Sequence, residues 1–535
     1  MDRKKEILIV LLLFIFAFFL FTWQIGSIPI LDGDTAYSAT IAKNMLQSGD
    51  WMTLKYQDSG EIIPKPPLFY WIIAAGFKIF GINEFGLSIF HSLLAALTIL
   101  LTYLVTRELF NKRIALWSSL ILLTSAQFFY QARSPLQDVP LTLFITAAFY
   151  CFILFEKRKN YIFYYLIPIF AALAVLTKGP IGLVLIGLVL LIYAIITKKF
   201  FSYINFHLIL ALILFLLVVS PWFIAEYKIL GPDFAKVFWK TNVGRFFMPT
   251  DQIGKDLSAP TKPQYDFYTY IAQLFILFLP WSGFLYPAIF YNFKREKVLI
   301  GWVLGIIIFF SLSLNYKIGR YILPAYPALA MLVAKFLDDA LNNYDSLKKH
   351  LAVSKWILTL FILPFMLAAT IYFIKVFPSE QALYQGIVLP SLTILFLGLI
   401  ISTIFLFRKQ LKYAIVGFAT TAIITYLVLI PSLDIYFKKA NPIKEYCLTL
   451  NHIIKPGNHV VLYDAIPSSP FAAFYLEHKF LNTQNHQALL EKLKSRQRTY
   501  VISENPKVIS RLEKIAGIKL KIISQNPNFV LFSNQ

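Results

Sequence analysis

Long apolar runs separated by short polar breaks set the rhythm of this chain. Stretches long enough to cross the hydrocarbon core of a bilayer recur near 6–23, 85–107, 114–131, 138–155, 161–177, 180–197, 206–226, 267–291, 298–314, 319–338, 355–376, 386–407 and 411–431. They predict about thirteen membrane-spanning helices. A membrane β-barrel would instead show short alternating segments. Two segments after the first span break the rhythm. Residues 35–48 set Ile41, Met45 and Leu46 on one stripe with Lys43 and Asn44 beside it, which predicts an amphipathic helix lying at the membrane interface. The stretch "PPLFYWIIAAGFKIFG" (66–81) is apolar but short for a span, and reads as re-entrant or interfacial.

Past Pro431 the period changes. "HVVLYD", "TYVIS", "LKIIS" and "NFVLFS" have strand character and are interleaved with helical stretches such as "ALLEKLKSRQ" and "PKVISRLEKIAG". The predicted organisation is therefore an all-α polytopic membrane domain over residues 1–432, followed by a soluble α/β domain over 433–535.

Charge sharpens this picture. The chain has 535 residues, of which 58% are hydrophobic and only 15% charged; soluble domains carry about 25% charge. Fifty Lys and Arg against 28 Asp and Glu give a net charge of +22. A nucleic-acid partner is not indicated, because the basic residues sit mainly in short loops between spans, the pattern left by topology and anionic lipid. With Arg3, Lys4 and Lys5 inside, the loops "RELFNKR", "EKRKN", "TKKF", "NFKREK", Lys348–Lys355 and "FRKQLK" are also inside, and all are basic. The odd number of spans then puts the C-terminal domain outside, in the periplasm of a bacterial cell. The opening "MDRKKEILIVLLLFIFAFFLF" begins like a signal peptide, but its apolar run is long and no small-residue cleavage site follows, so it reads as a retained first helix. The two cysteines, Cys151 and Cys447, form no disulfide framework, and the seven histidines lack metal-ligand spacing. No Walker loop, dinucleotide fingerprint or nucleophile elbow is present.

The candidate chemistry lies in the outward loops. The stretch "IPILDGDTAYSATIAKNMLQSGDW" (28–51) places Asp32 and Asp34 just past the first membrane exit. The other outward loops hold Lys65, Arg133, Asp138, Lys178, Arg245, Lys317 and Arg320. Charges at the membrane boundary are costly unless paired or hydrated. Carboxylates and several cations on one side suit group transfer from a phosphate-linked donor. The cations hold the leaving phosphate and a carboxylate orients or deprotonates the attacking hydroxyl. Each residue also has a plain structural reading. Asp34 is a good helix cap, Asp138 a helix-dipole residue, Lys178 a snorkelling lysine and Arg320 an interfacial anchor.

The order of these pieces resembles a known family. "DTAYSATIAKNMLQSGDWMTLKYQDSGEIIPKPPLFYW" is similar to the first outer loop of the family that includes the aminoarabinose transferases of lipid A and the protein O-mannosyltransferases. "RSPLQD", "LTKGPIGL", "SPWFIAEYKILGPDF", "FLPW" and "LSLNYKIGRYILPAYPALA" resemble its later blocks, in the family's order, over roughly residues 1–340. The resemblance implies the GT-C membrane fold and transfer of one sugar from a polyprenyl-phosphate carrier to an acceptor at the outer membrane face. By position it implies Asp34 and Asp138 as catalytic acidic residues and Lys65 as a phosphate-binding lysine, with Lys178, Arg245, Lys317 and Arg320 lining the donor phosphate site. Three departures stand out. Thr35 replaces the Glu that usually follows the first Asp, Pro64 replaces the Glu before Lys-Pro-Pro, and Tyr37 stands where Arg is frequent. The first two weaken the case for a divalent cation, which stays an open alternative; no metal ligand is assigned and no cofactor is required. The third points to altered donor recognition.

The expected activity is inverting transfer from a polyprenyl-phosphate monosaccharide to a lipid A-type or other cell-envelope acceptor, lipid or protein, at the outer face of the bacterial inner membrane. Two rivals are a protein O-glycosyltransferase of the same fold and a transporter or flippase for lipid-linked sugars. A transporter would place its polar residues at the bilayer midplane on broken helices, often in inverted repeats.

Overall fold

A computed structural model describes residues 3–56, 63–244, 246, 266–313, 317–376, 382–440, 442–465 and 468–534. Nine of the described helices are long and apolar enough to cross a membrane, and three shorter apolar helices accompany them: Leu68–Phe80, Ile181–Ile196 and Lys297–Ser311. The predicted spans fall on helices throughout, but several are broken. The 114–131 span divides into Lys112–Thr124 and Ala126–Arg133 at Ser125, whose backbone is extended. The 267–291 span divides into Thr269–Leu277 and Ser282–Asn292 around the Pro280 of "FLPW", because proline cannot continue the hydrogen-bond ladder. The 319–338 span opens as a 3-10 turn, Gly319–Ala325, before the helix Tyr326–Asn342.

The first helices are α1 (Arg3–Thr22), α2 (Gly33–Ser48), α3 (Leu68–Phe80) and α4 (Glu84–Leu109). After Lys112–Thr124 (α5) and Ala126–Arg133 (α6) come α7 (Asp138–Arg158) and α8 (Tyr161–Lys178). Helix α7 is the axis of the membrane domain. Every residue from Asp138 to Phe155 except Tyr150 is buried, and α7 packs on α4, α8 and the 3-10 turn Gly319–Ala325. Its 21 residues span about 30 Å, with Asp138 at one end and Lys157 and Arg158 at the other.

The charges are segregated accordingly. At the Lys157 end, Glu6 pairs with Arg107 (3.1 Å) and Lys112 (2.6 Å), and Glu108 with Lys157 and Arg158 (both 3.5 Å). The N-terminus and the first two basic loops thus share one face, as the loop pattern predicts. Asp34, Asp138, Lys178 and Arg320 lie together at the other end of α7.

The C-terminal unit forms a five-stranded mixed sheet, β1 (His459–Tyr463), β2 (Leu481–Thr483), β3 (Thr499–Ser503), β4 (Lys521–Gln525) and β5 (Val530–Ser533), in the order β2-β1-β3-β5-β4. Strands β2, β1 and β3 run parallel, and β5 pairs antiparallel with β3 and β4. All four predicted strands are present. The fifth, "LNT", is short and polar and carries no alternation that sequence could reveal. Alternate residues face two cores. Val461, Val501 and Phe532 meet the helices His486–Lys494 and Val508–Ala516. Val460, Leu462, Ile502 and Leu531 belong to a second core shared with α2 and α3. The helix Leu411–Ala440 runs through the expected boundary at 432/433, and the first helix of the C-terminal unit is Ile443–Ile453.

That shared core corrects one expectation. Helix α2 exists as read, but Ile41 and Met45 are buried in protein rather than laid on lipid, and α2 is covered by the short helix Ser469–Tyr475 of the C-terminal unit. An apolar stripe shows that one face is covered; it does not say by what. Helix α3 lies between α2 and α4. A Cβ on Gly76 would sit 2.0 Å from the Gly86 carbonyl oxygen, so the close crossing of α3 and α4 requires glycine there.

Candidate functional site

The turn leading into α2 sorts its two carboxylates by role. Asp32 is the N-cap: its backbone is extended, and its side chain accepts hydrogen bonds from the Asp34 amide (2.7 Å) and the Thr35 amide (3.3 Å). This is the task the plain reading gave to Asp34. Asp34, in the first helical turn, is free of it. Its carboxylate is 66% exposed and pairs with the Arg320 guanidinium.

Arg320 is the hub. It stands in the 3-10 turn before Tyr326–Asn342, at a point where a Cβ on the preceding Gly319 would lie 2.3 Å from the Leu277 side chain. Only 15% exposed, Arg320 reaches Asp34, Asp32 (3.7 Å) and Asp138 (3.7 Å). Asp138 opens α7 with its side chain almost fully buried, and it receives the Lys178 ammonium from the end of α8 at 2.5 Å. Lys178 also lies 4.8 Å above the Tyr321 ring. Three carboxylates and two cations from four separate segments thus form one connected network, Lys178–Asp138–Arg320–Asp34 with Asp32 beside it. The "RSPLQD" loop touches the same turn: the Thr35 hydroxyl lies 3.4 Å from the Ser134 hydroxyl and 3.5 Å from the Pro135 carbonyl. The positive charge at the centre of the carboxylates is a guanidinium, and among the described residues no His, Cys, Asp and Glu group of three is arranged to hold a metal.

The other predicted cations fall in different places. Lys65, half-buried between Pro64 and Pro66, holds its ammonium 5.7 Å from the Tyr37 ring, and Tyr37 stacks on Tyr56 at 4.4 Å. Tyr37 lies one turn along α2 from Asp34. The Asn242 side chain fixes the Lys65 segment by donating to the Pro64 carbonyl (3.0 Å). Lys317 points elsewhere: its ammonium donates to the Ser311 and Ser313 carbonyls (2.8 and 2.9 Å), closing the end of the helix Lys297–Ser311. It is buried there, and burial lowers its pKa below the usual lysine value. Arg133 donates to the Phe21 carbonyl (2.7 Å) at the end of α1. Arg245 lies outside the described residues. Sequence reading named Asp32 in the acidic turn but offered the cap to Asp34, and it missed Tyr321 as the face beneath Lys178. Tyr321 follows Arg320 directly, so its aromatic character beside a candidate cation was the available signal.

The arrangement can accept a phosphate. Arg320 and Lys178 provide charge-assisted donors, and Asp34 offers an exposed carboxylate beside them. Known proteins give it context. Residues 64–224 match the family model described as dolichyl-phosphate-mannose-protein mannosyltransferase. An uncharacterized protein of Aquifex aeolicus is 35% identical over 376 residues, 69% of this chain and 70% of the relative. The undecaprenyl phosphate-alpha-4-amino-4-deoxy-L-arabinose arabinosyl transferase 1 of Proteus mirabilis is 30% identical over 341 residues, covering 61% of this chain and 60% of that enzyme. The crystal structure of ArnT from Cupriavidus metallidurans aligns over 100% of this chain and 99% of its own, with a TM-score of 0.78 at 19% identity. The same protein bound to undecaprenyl phosphate gives 0.78 at 18%. The fold is shared end to end, C-terminal sheet included. The chain is a multi-pass membrane protein and belongs to the GT-C glycosyltransferase family of aminoarabinose-transferase-like enzymes.

Proposed function

We propose that this protein transfers a monosaccharide from a polyprenyl-phosphate carrier to a lipid A-type acceptor at the outer face of a bacterial inner membrane, with inversion. The carrying observation is the Lys178–Asp138–Arg320–Asp34 network at the end of α7 away from the basic loops. The arabinosyl transferases among its relatives and the undecaprenyl phosphate bound by the ArnT neighbour support the choice of carrier. The membrane domain, residues 1–432, carries the reaction, and the unit at 433–535 sits on the periplasmic side.

In the reaction an acceptor oxygen attacks the anomeric carbon from the face opposite the carrier. The bond from that carbon to the phosphate oxygen breaks, and its electron pair leaves with the polyprenyl phosphate. Arg320 and Lys178 stabilise the charge that grows there, with Lys65 and Arg245 as further phosphate contacts. Arg320 is shared: as the phosphate takes up its N–H groups, Asp34 is released toward the acceptor. A hydroxyl acceptor gives its proton to Asp34; a phosphate acceptor, already ionised at neutral pH, needs only to be oriented. Asp138 stays buried and holds Lys178 and Arg320 in register.

A second reading, transfer to protein Ser or Thr, is favoured by the matched family model, which describes protein mannosyltransferases. Mass spectrometry of lipid A and of total glycoprotein, with and without the gene, separates the two. Loss of a sugar from lipid A supports the first reading, loss from protein alone overturns it, and no change in either refutes both.

A further inference from the structure

The acidic turn is held from the side the sequence does not reveal. Ile30, two residues before the Asp32 cap, lies in the link between α1 and α2, where no helix or strand satisfies its amide. The Ile30 N–H donates instead to the Tyr475 hydroxyl (3.0 Å), 445 residues away. That hydroxyl in turn donates to Glu84 Oε1 (2.9 Å), the carboxylate at the start of α4 that also pairs with Lys444. Tyr475 ends the short helix Ser469–Tyr475 and is buried.

A second tie lies one helix further on. Lys43, buried in α2, donates to the Phe474 carbonyl (2.8 Å) and the Leu476 carbonyl (3.0 Å). Asn451 takes the Tyr475 carbonyl between them (2.9 Å) and accepts from the Glu477 amide (3.0 Å). The open carbonyls at a helix end need partners, and here a lysine of the membrane domain supplies two of the bonds. Phe77 of α3 stacks on Phe474 at 5.9 Å, so the contact is apolar as well as polar.

We propose that Tyr475 is a positioning residue for sugar transfer: through its hydroxyl the C-terminal unit fixes the Ile30–Asp34 turn, and with it the Asp34 carboxylate, against Arg320. This rests on the transfer reaction proposed above. The C-terminal unit is then a part of the active-site scaffold, with Lys43 keeping α2 seated beneath it.

The test is Tyr475→Phe in the full chain, purified in lipid nanodiscs. The ring still fills its place and only the hydroxyl is lost. Amide hydrogen exchange over residues 28–36 should speed up about fivefold, the factor carried by one hydrogen bond of ordinary strength, while exchange around Lys43 holds. Turnover of a synthetic polyprenyl-phosphate sugar should fall by about the same factor, with the affinity for undecaprenyl phosphate unchanged. Tyr500→Phe is the control: it removes another buried hydroxyl of the same unit, one that faces the Ile453 carbonyl and not the turn. Unchanged exchange at 28–36 overturns the proposal, as does faster exchange with full turnover. Equal losses in Tyr475→Phe and Tyr500→Phe also overturn it, since they would mark general loosening of the unit. Wild-type protein that turns over no polyprenyl-phosphate sugar defeats the transfer reading by itself, and the exchange measurement still decides whether Tyr475 holds the turn.

Discussion

Asp34→Asn separates catalysis from folding at this site because the structure assigns those tasks to different residues. The cap of α2 belongs to Asp32, which receives both amide hydrogen bonds. The Asp34 side chain contributes to folding through its pair with Arg320 and its charge in the first turn of α2, and it is 66% exposed. A pair so open to solvent contributes about 0.2–1 kcal/mol. Asparagine keeps the size and helix-start compatibility of aspartate, so thermal unfolding in detergent should move little. Turnover should fall by about 100- to 10,000-fold, the usual contribution of a positioned general base, equivalent to about 2.7–5.5 kcal/mol of barrier. Affinity for undecaprenyl phosphate should hold or rise, because Asp34 competes with phosphate for Arg320. Asp32→Asn, which caps about as well as Asp, should keep most of the turnover, whereas Asp32→Ala should lose about 1 kcal/mol of stability with its cap. The assay is sugar transfer from a synthetic carrier alongside a binding titration with undecaprenyl phosphate. Near-normal transfer by a folded Asp34→Asn protein, or a larger loss in Asp32→Asn, would refute the assignment.

Other perturbations address the remaining parts. Arg320→Lys keeps one charge but cannot span Asp34, Asp32 and Asp138 as a guanidinium does; it should lower both phosphate affinity and turnover by at least tenfold, and Arg320→Met should also lower the melting temperature by leaving three carboxylates with Lys178 as the one remaining cation of the network. Lys65→Ala should weaken carrier binding and slow transfer together, with Lys65→Arg rescuing in part; unchanged binding and turnover would remove Lys65 from the site. Gly76→Ala should destabilise the protein by about 1–3 kcal/mol, the cost of overpacking, because its methyl group would meet the Gly86 carbonyl; a melting temperature equal to wild type would contradict that crossing. Single cysteines near Lys178 and in the C-terminal unit should react with an impermeant thiol reagent in cells with a permeabilised outer envelope. Cysteines near Lys157 and Lys294 should not, and labelling at Lys157 would reverse the orientation.

The membrane helices were legible because lipid imposes a strong rule: every backbone group must be satisfied within the helix, so length and apolarity mark a span. The breaks were less legible. Ser125 ends a helix in the middle of an apolar run, and a sliding reading of hydropathy passes over it. The network around Arg320 was half legible. Its members could be named from their cost at a membrane boundary, but which of them meet depends on how α7, α8 and the 3-10 turn Gly319–Ala325 pack, and no local pattern encodes that. Lys317 shows the difference. It lies three residues from Arg320 and is also a cationic side chain, yet its ammonium turns back to the end of the preceding helix.

Lys43 shows where reading by period stops. A lysine beside an apolar stripe is what an interfacial helix would present to lipid headgroups, and the sequence of α2 contains nothing against that. The cost of burying an ammonium is offset only when acceptors meet it. Those acceptors are the Phe474 and Leu476 carbonyls, more than 400 residues further along the chain. The same separation conceals the Ile30 amide and its Tyr475 partner. Both contacts arise because the Ser469–Tyr475 helix docks over α2: the carbonyls at its end meet Lys43, and the hydroxyl of its last residue meets the Ile30 amide. Each half is ordinary by itself: a short helix with an unfinished end, and an amphipathic helix with one lysine too many. Only together do they bring the C-terminal unit within two residues of the Asp32 cap. A substitution in the C-terminal unit can therefore reach the acidic turn without touching any residue of the membrane domain.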